Sequence, residues 1–217
     1  MMINLKALTL YGFNGSIIFS NATCSFDNDQ LNFVIGKSGI GKSSLLAFLS
    51  GIPFKTSGEV YFGDLKRLFQ TQNELIQHRR SVAYIPQQLN LFNHFSVDQN
   101  IKFYFSQTRT PFDKTLYDAL MEKLTLHTKK DMLVSELSIG QQQRVAILRA
   151  LMMKTPYILA DEPTGNLDPK NSKLVIDILD EFRKQFGTTV IIVSQNFADI
   201  PIDAKVVEIK NETLIHH

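Results

Sequence analysis

Residues 36–44 read GKSGIGKSS, set between the unbroken apolar run LNFVI at 31–35 and a segment with helical patterning at 42–50. No other feature narrows the possible folds as much. An apolar run without alternation suits a strand buried on both faces of a parallel sheet. The glycines let the backbone bend so that successive N–H groups face inward, and a helix starting directly afterwards adds about half a positive charge at its N-terminus. The result is an anion cradle of the form G-x-x-x-x-G-K-S, with Gly36, Gly41, Lys42 and Ser43 at the defining positions. Lys37, Ser38, Gly39 and Ser44 complete the loop. Lys42 is expected to reach the outer phosphates of a nucleotide and Ser43 to ligate Mg²⁺. A plain glycine-rich turn before a helix is the simpler alternative, and it does not call for the strand that precedes the loop.

The rest of the chain reads as the same α/β class. TTVIIV (188–193), SVAYI (81–85) and YILA (157–160) are further candidate core strands, with helices over 42–50, ended by Gly51, and 171–186, ended by Gly187. The first 26 residues and GEVYFG (58–63) are short and β-like, and KVVEIKNETLI predicts a hairpin around Lys210-Asn211. Residues 88–153 hold few strand signals. SVDQNIKFYF, with Ser96 and Gln99 at capping-box spacing, points to helix there. We therefore expect one domain, 1–217, in which a helical subdomain (88–153) interrupts a core made of 1–87 and 154–217.

Composition excludes several classes of function. With 217 residues, 44% of them hydrophobic, the chain can bury a core unaided. Its one cysteine, Cys24, rules out an internal disulfide framework. No apolar run approaches the ~20 residues of a membrane span, and MMINLKALTL lacks the basic start of a secretion signal, so a cytoplasmic location is expected. The net charge of +2 and the isolated HRR at 78–80 give no basic stripe, and nucleic acid is not an expected partner. The closing His216 and His217 are given no role.

A phosphate loop needs an acidic counterpart, and YILADEP (157–163) supplies an apolar strand ending in Asp161 and Glu162. Asp161 is placed to hold the magnesium shell and Glu162 to polarise an attacking water as general base. A strand ending in an acidic turn is common, and the phosphate loop upstream is what favours catalysis.

The phosphate loop, YIPQ (84–87), LSIGQQQR (137–144), LADEP and GNLD (165–168) follow one another in the order seen in ATP-binding cassette (ABC) ATPases, which the chain resembles over nearly its whole length. DEPTGNLD is also similar to the subgroup serving lipoprotein release, macrolide export and cell division. The resemblance implies a RecA-like core with an N-terminal antiparallel β subdomain and the inserted helical subdomain. It also implies a homodimer or heterodimer of ATPase subunits sandwiching two ATP head to tail, and transmembrane permease subunits docked near Leu89–Phe95, where Leu91, Phe92 and Phe95 would be anchors. The protein would sit peripherally on the inner face of the cell membrane.

The resemblance assigns further roles. Ser138, Gly140 and Gln141 would face the ATP held by the other subunit, and capping-box spacing from Ser138 to Gln141 independently predicts a helix N-terminus from 139. Gln87 would contact Mg²⁺ or water and hinge the subdomain. Tyr11 or Phe13 would stack on adenine. Asp168 would link the two sites, besides being a candidate helix cap. Two positions depart from the family: Ile139 stands where glycine is usual, and Gln195 where a histidine normally contacts the γ-phosphate. A carboxamide cannot become cationic, so slow hydrolysis, and at the limit an ATP-dependent switch, is the alternative expectation. DNA-repair and translation members of the family usually carry a coiled-coil insertion or a second cassette, for which 217 residues leave no room.

Overall fold

The computed structural model describes residues 2–66, 71–108 and 110–216; His217 lies outside them. In chain order the elements are β1 (Ile3–Tyr11), β2 (Ile17–Phe26), β3 (Asn32–Gly36), α1 (Lys42–Leu49), β4 (Thr56–Phe62), β5 (Leu65–Lys66), α2 (Gln72–Ser81) and β6 (Val82–Ile85). They continue with α3 (Val97–Thr108), α4 (Lys114–Lys123), α5 (Ile139–Met152), β7 (Tyr157–Asp161), α6 (Pro169–Phe186), β8 (Thr189–Val193), β9 (Lys205–Lys210) and β10 (Thr213–His216).

Two sheets form. One is antiparallel, in the order β2-β1-β4-β5; the other has the order β10-β9-β3-β8-β7-β6. In the larger sheet β9, β3, β8, β7 and β6 run parallel and only β10 is antiparallel, on β9. Strands β7 and β8 are buried at every residue. Period-2 geometry then divides each strand between two cores. Phe33, Ile158, Ala160, Val190 and Ile192 pack on the side of α3–α6, whereas Val34, Leu159, Ile191 and Val193 pack with α1 and the antiparallel sheet. An unbroken apolar strand is thus the sequence expression of a sheet covered on both faces.

The expected elements are present with shifted ends. α6 begins at Pro169, two residues before the expected start, because Asp168 caps it and proline fits the first helical turn. α1 ends at Leu49, with Gly51 in the left-handed region at φ 93°. The last hairpin turns at Asn211-Glu212, one residue beyond the expected pair, with both residues left-handed (φ 49° and 57°). α2 is an addition. It carries a capping box between Thr71 and Glu74, and only His78 of its residues is buried. Between β6 and β7 the chain is helical, as α3, α4 and α5.

Parallel pairing brings the C-terminal ends of β3, β6, β7 and β8 to one edge of the sheet, where open α/β sheets form their ligand crevices. The phosphate loop follows β3, Gln87 follows β6, Glu162 follows β7 and Gln195 follows β8.

A nucleotide-binding edge

The loop after β3 is glycine-dependent at both of its ends. Gly36 has φ 146° and a Cβ there would stand 2.7 Å from the Ile209 carbonyl oxygen; at Gly41, φ 108°, it would be 2.0 Å from Ile18 Cγ2. Lys42 is buried, and its Nζ donates to the carbonyls of Gly36 (2.8 Å) and Lys37 (2.9 Å), drawing the ammonium back across the loop. Burial lowers the Lys42 pKa, against the opposing charges of Glu162 and Asp161. α2, α4, α5 and α6 have a side chain accepting from a first-turn amide, but α1 has no side-chain cap. Its first-turn amides remain available to an anion.

Asp161 closes β7 in a buried position. Desolvation raises its pKa and so does Glu162, while a hydrogen bond from Ser43 and the charge of Lys42 lower it. Its Oδ1 is buried without a hydrogen-bond partner. An orphaned carboxylate oxygen beside a serine hydroxyl suits a hard cation that takes oxygen ligands and keeps water or phosphate oxygens for its remaining positions. The residues present therefore fit Mg²⁺. The neighbouring Tyr84 hydroxyl is pushed up to about 12 by burial and by the Asp161 charge.

Glu162 has a left-handed backbone, φ 50°, fixed by its N–H to the Val193 carbonyl (2.9 Å) and by the Gly165 N–H to its own carbonyl (3.1 Å). Its carboxylate accepts from Gln87 Nε2 at Oε2 (3.3 Å) and from Gln195 Nε2 at Oε1. Glu162 and Gln195 line one polar cleft of about 420 Å³ with Thr164, Gly165 and Asn196. The Thr164 hydroxyl donates to Asp199 (2.6 Å), tying the segment after β7 to the one after β8. This tie had no motif to announce it.

The signature stretch lies elsewhere on the surface. Ser138 caps α5 by accepting from the Gln141 amide (3.3 Å), and the Gln141 side chain accepts from the Ser138 amide (3.0 Å). Ser138 is exposed and Ile139 is 59% exposed. Among the described hydrogen bonds none joins residues 138–141 to residues 36–44. Gly140 has an unforeseen duty within its own chain, since a Cβ there would be 3.1 Å from Leu167 Cδ2; the turn before α6 packs against the start of α5. Asp168 caps α6 through the Asn171 amide (3.0 Å), which lowers its carboxyl pKa.

At the N-terminal sheet, Phe13 is 84% exposed with its ring 4.7 Å from that of Phe54, whereas Tyr11 is half-buried with the Lys55 ammonium 5.1 Å above its ring. After β6, the buried Asn100 side chain grips the loop, accepting from the Phe92 amide (2.8 Å) and donating to the carbonyls of Phe92 (3.0 Å) and Ser96 (3.0 Å). The rings of Phe92, Phe95 and Phe103 then cluster, with centroids 4.9 to 5.9 Å apart. Phe92 and Phe103 stay exposed, while Leu91 is turned toward the helical core. Phe103, eleven residues away on α3, was not foreseen as part of this surface. No described helix is long and apolar enough to cross a membrane.

Comparison with known proteins agrees with this geometry. A family model described as "ABC transporter" matches residues 19–165. The lipoprotein-releasing system ATP-binding protein LolD of Buchnera aphidicola (subsp. Schizaphis graminum) is 34% identical over 191 residues, 87% of this chain and 83% of that protein. The phosphonates import ATP-binding protein PhnC of Bradyrhizobium diazoefficiens is 38% identical over 168 residues, 73% of this chain and 62% of that protein. Among solved structures, a dimeric post-hydrolysis state of the ATP-binding cassette MJ0796 bound to ADP and Pi has a TM-score of 0.86 at 26% identity. It covers 99% of this chain and 97% of that one.

Proposed function

The chain belongs to the ABC transporter family as an ATP-binding, ATP-hydrolysing subunit, and from that premise we propose how its own residues carry the work. The observation that carries the reading is the convergence of Lys42, Ser43, Asp161 and Glu162 at the ends of β3 and β7. ATP lies with its phosphates on the loop 36–44. Lys42 exchanges two carbonyl acceptors for phosphate oxygens, and the uncapped start of α1 adds its amides. The adenine stacks on an aromatic of the β1–β2 region, Tyr11 or Phe13. Ser43, Asp161 and the Gln87 carboxamide oxygen hold Mg²⁺, which neutralises charge developing on the phosphates. Glu162 orients a water and takes up its proton. A switch that binds ATP without hydrolysing it is not favoured, because the base and its supports are in place.

Two subunits close head to tail, each offering Ser138, Gly140 and the first-turn amides of α5 to the ATP held by the other. Exposure of Ser138 and Ile139 supports this reading, since an anion-facing helix start with no target in its own chain fits one in a second. Residues 88–153 act as the subdomain that carries the signature stretch, and Gln87 as the hinge joining it to the core. The exposed ring cluster of Phe92, Phe95 and Phe103 anchors separate transmembrane subunits, which keeps the protein on the cytoplasmic face of the membrane. Those subunits define the cargo. DEPTGNLD and the likeness to LolD support export, lipoprotein release or envelope remodelling as its class.

Purification of the chain with its membrane partners tests the reading. The expected result is Mg²⁺-dependent ATP hydrolysis together with a co-purified polytopic membrane chain that is lost when Phe92 and Phe103 are replaced by serine. Absence of ATP hydrolysis in the intact complex contradicts the enzyme assignment, and retention of the membrane chain by the double variant contradicts the docking site.

A further inference from the structure

Strand order puts Glu162 between two carboxamides. β7 lies between β6 and β8 in the larger sheet, and the side chains following these three strands are Gln87, Glu162 and Gln195. Neighbouring strands are about 4.8 Å apart, so groups rooted at one sheet edge come within hydrogen-bond reach of each other. Here each oxygen of the central carboxylate accepts one N–H: Oε2 from Gln87 at 3.3 Å, and Oε1 from Gln195. Resting on the reading of Glu162 as the base, we infer that Gln87 and Gln195 clamp its carboxylate, and that Gln195 is a positioning residue acting through Glu162 instead of through the terminal phosphate of ATP.

The terminal torsion of a glutamate is broad and roughly two-fold, so a lone carboxylate does not hold one plane. One donor on each oxygen fixes that plane. Each oxygen has two lone pairs, which leaves one on each to receive a water proton. An amide suits this task because it donates without being an acid: it orients the carboxylate and has no proton to transfer to it. The clamp also rests on a fixed base. Glu162 is held at φ 50° by its N–H bond to Val193 (2.9 Å). The segment carrying Gln195 is held in turn by the Ser194 amide on the Val34 carbonyl (3.3 Å) and by the Asn196 amide on Ser194 Oγ (3.0 Å). Gln87 uses its nitrogen on Glu162, so its oxygen remains free for a cation. Gln195 is exposed, and its replacement removes a contact without opening the core.

The test combines steady-state and single-turnover hydrolysis with ATP and ADP affinities of the full chain. In Gln195→Ala, kcat falls roughly 10- to 100-fold, as expected for losing a hydrogen bond to a charged group, while KM and both affinities stay within about twofold. In a Glu162→Gln background the same replacement adds no further loss to the residual single-turnover rate. Gln195→His, whose ring N–H can donate to the same oxygen, loses less than Gln195→Ala. An unchanged kcat in Gln195→Ala, a loss of ATP affinity but not of ADP affinity, a multiplicative loss in the Glu162→Gln background, or a His variant about tenfold faster than the parent each overturns the clamp. A parent chain without Mg²⁺-dependent hydrolysis overturns the base assignment and the clamp together, which distinguishes the two failures.

Discussion

The phosphate loop and the signature stretch are both helix beginnings, yet the chain finishes one and leaves the other open. At α1 the anion site is self-contained: glycines bend the loop, Lys42 is buried on the carbonyls of Gly36 and Lys37, and Ser43 and Asp161 meet behind it. At α5 the cap is satisfied by Ser138 and Gln141, but the helix start is exposed and has no hydrogen bond to the loop among those described. The first region is a site within one molecule and the second is half of a site between two. The ring cluster on Asn100 extends the series, being complete as a surface but without a partner in the chain.

Variants separate these levels. The largest effect belongs to Lys42→Ala, which removes a cation expected to make at least two charged hydrogen bonds, each worth about 1.5–3 kcal/mol. ATP affinity of the isolated chain should fall at least 100-fold by calorimetry, and an unchanged affinity breaks the assignment of the loop. Next comes Ser138→Ala. Losing the cap costs about 1 kcal/mol of stability. ATP affinity of the single chain should hold, while ATP-driven dimerisation weakens roughly 10-fold, as for loss of one phosphate contact per site. Weakened monomer binding would mean that the signature stretch serves its own chain's nucleotide. The smallest effect on nucleotide chemistry belongs to Asn100→Ala. Several backbone groups lose their partner at once, so stability falls by about 1–3 kcal/mol. Association with the membrane subunits should drop in co-purification, with ATP affinity unmoved; full retention would detach the ring cluster from docking.

How much of this was legible in the sequence follows the same division. The loop 36–44 was readable because strand, glycines and helix are contiguous and each has a local physical requirement. Cap positions at Ser96, Ser138 and Asp168 were readable for the same reason. α2 was missed because only His78 of its face is buried, so it presents no apolar stripe, although Thr71 and Glu74 stand at capping-box spacing. The terminal turn was placed one residue early because a glutamate with φ above zero, as at Glu212, is not what turn chemistry favours. Contacts set by strand order or by helix packing had no local signal. Phe103 joining Phe92, Gly140 facing Leu167, Thr164 bonding to Asp199, and two glutamines meeting on Glu162 all depend on which elements become neighbours.

The central claim is that one site needs two chains, and Glu162→Gln tests it most directly. The amide keeps the shape of the side chain but cannot take a proton, so ATP should bind and stay intact. In size-exclusion chromatography with light scattering, the variant should run as a monomer without nucleotide and as a dimer with saturating ATP and Mg²⁺, returning to monomer when ADP replaces ATP. A variant that remains monomeric at high ATP and hydrolyses it at the parent rate would contradict both the base and the shared site.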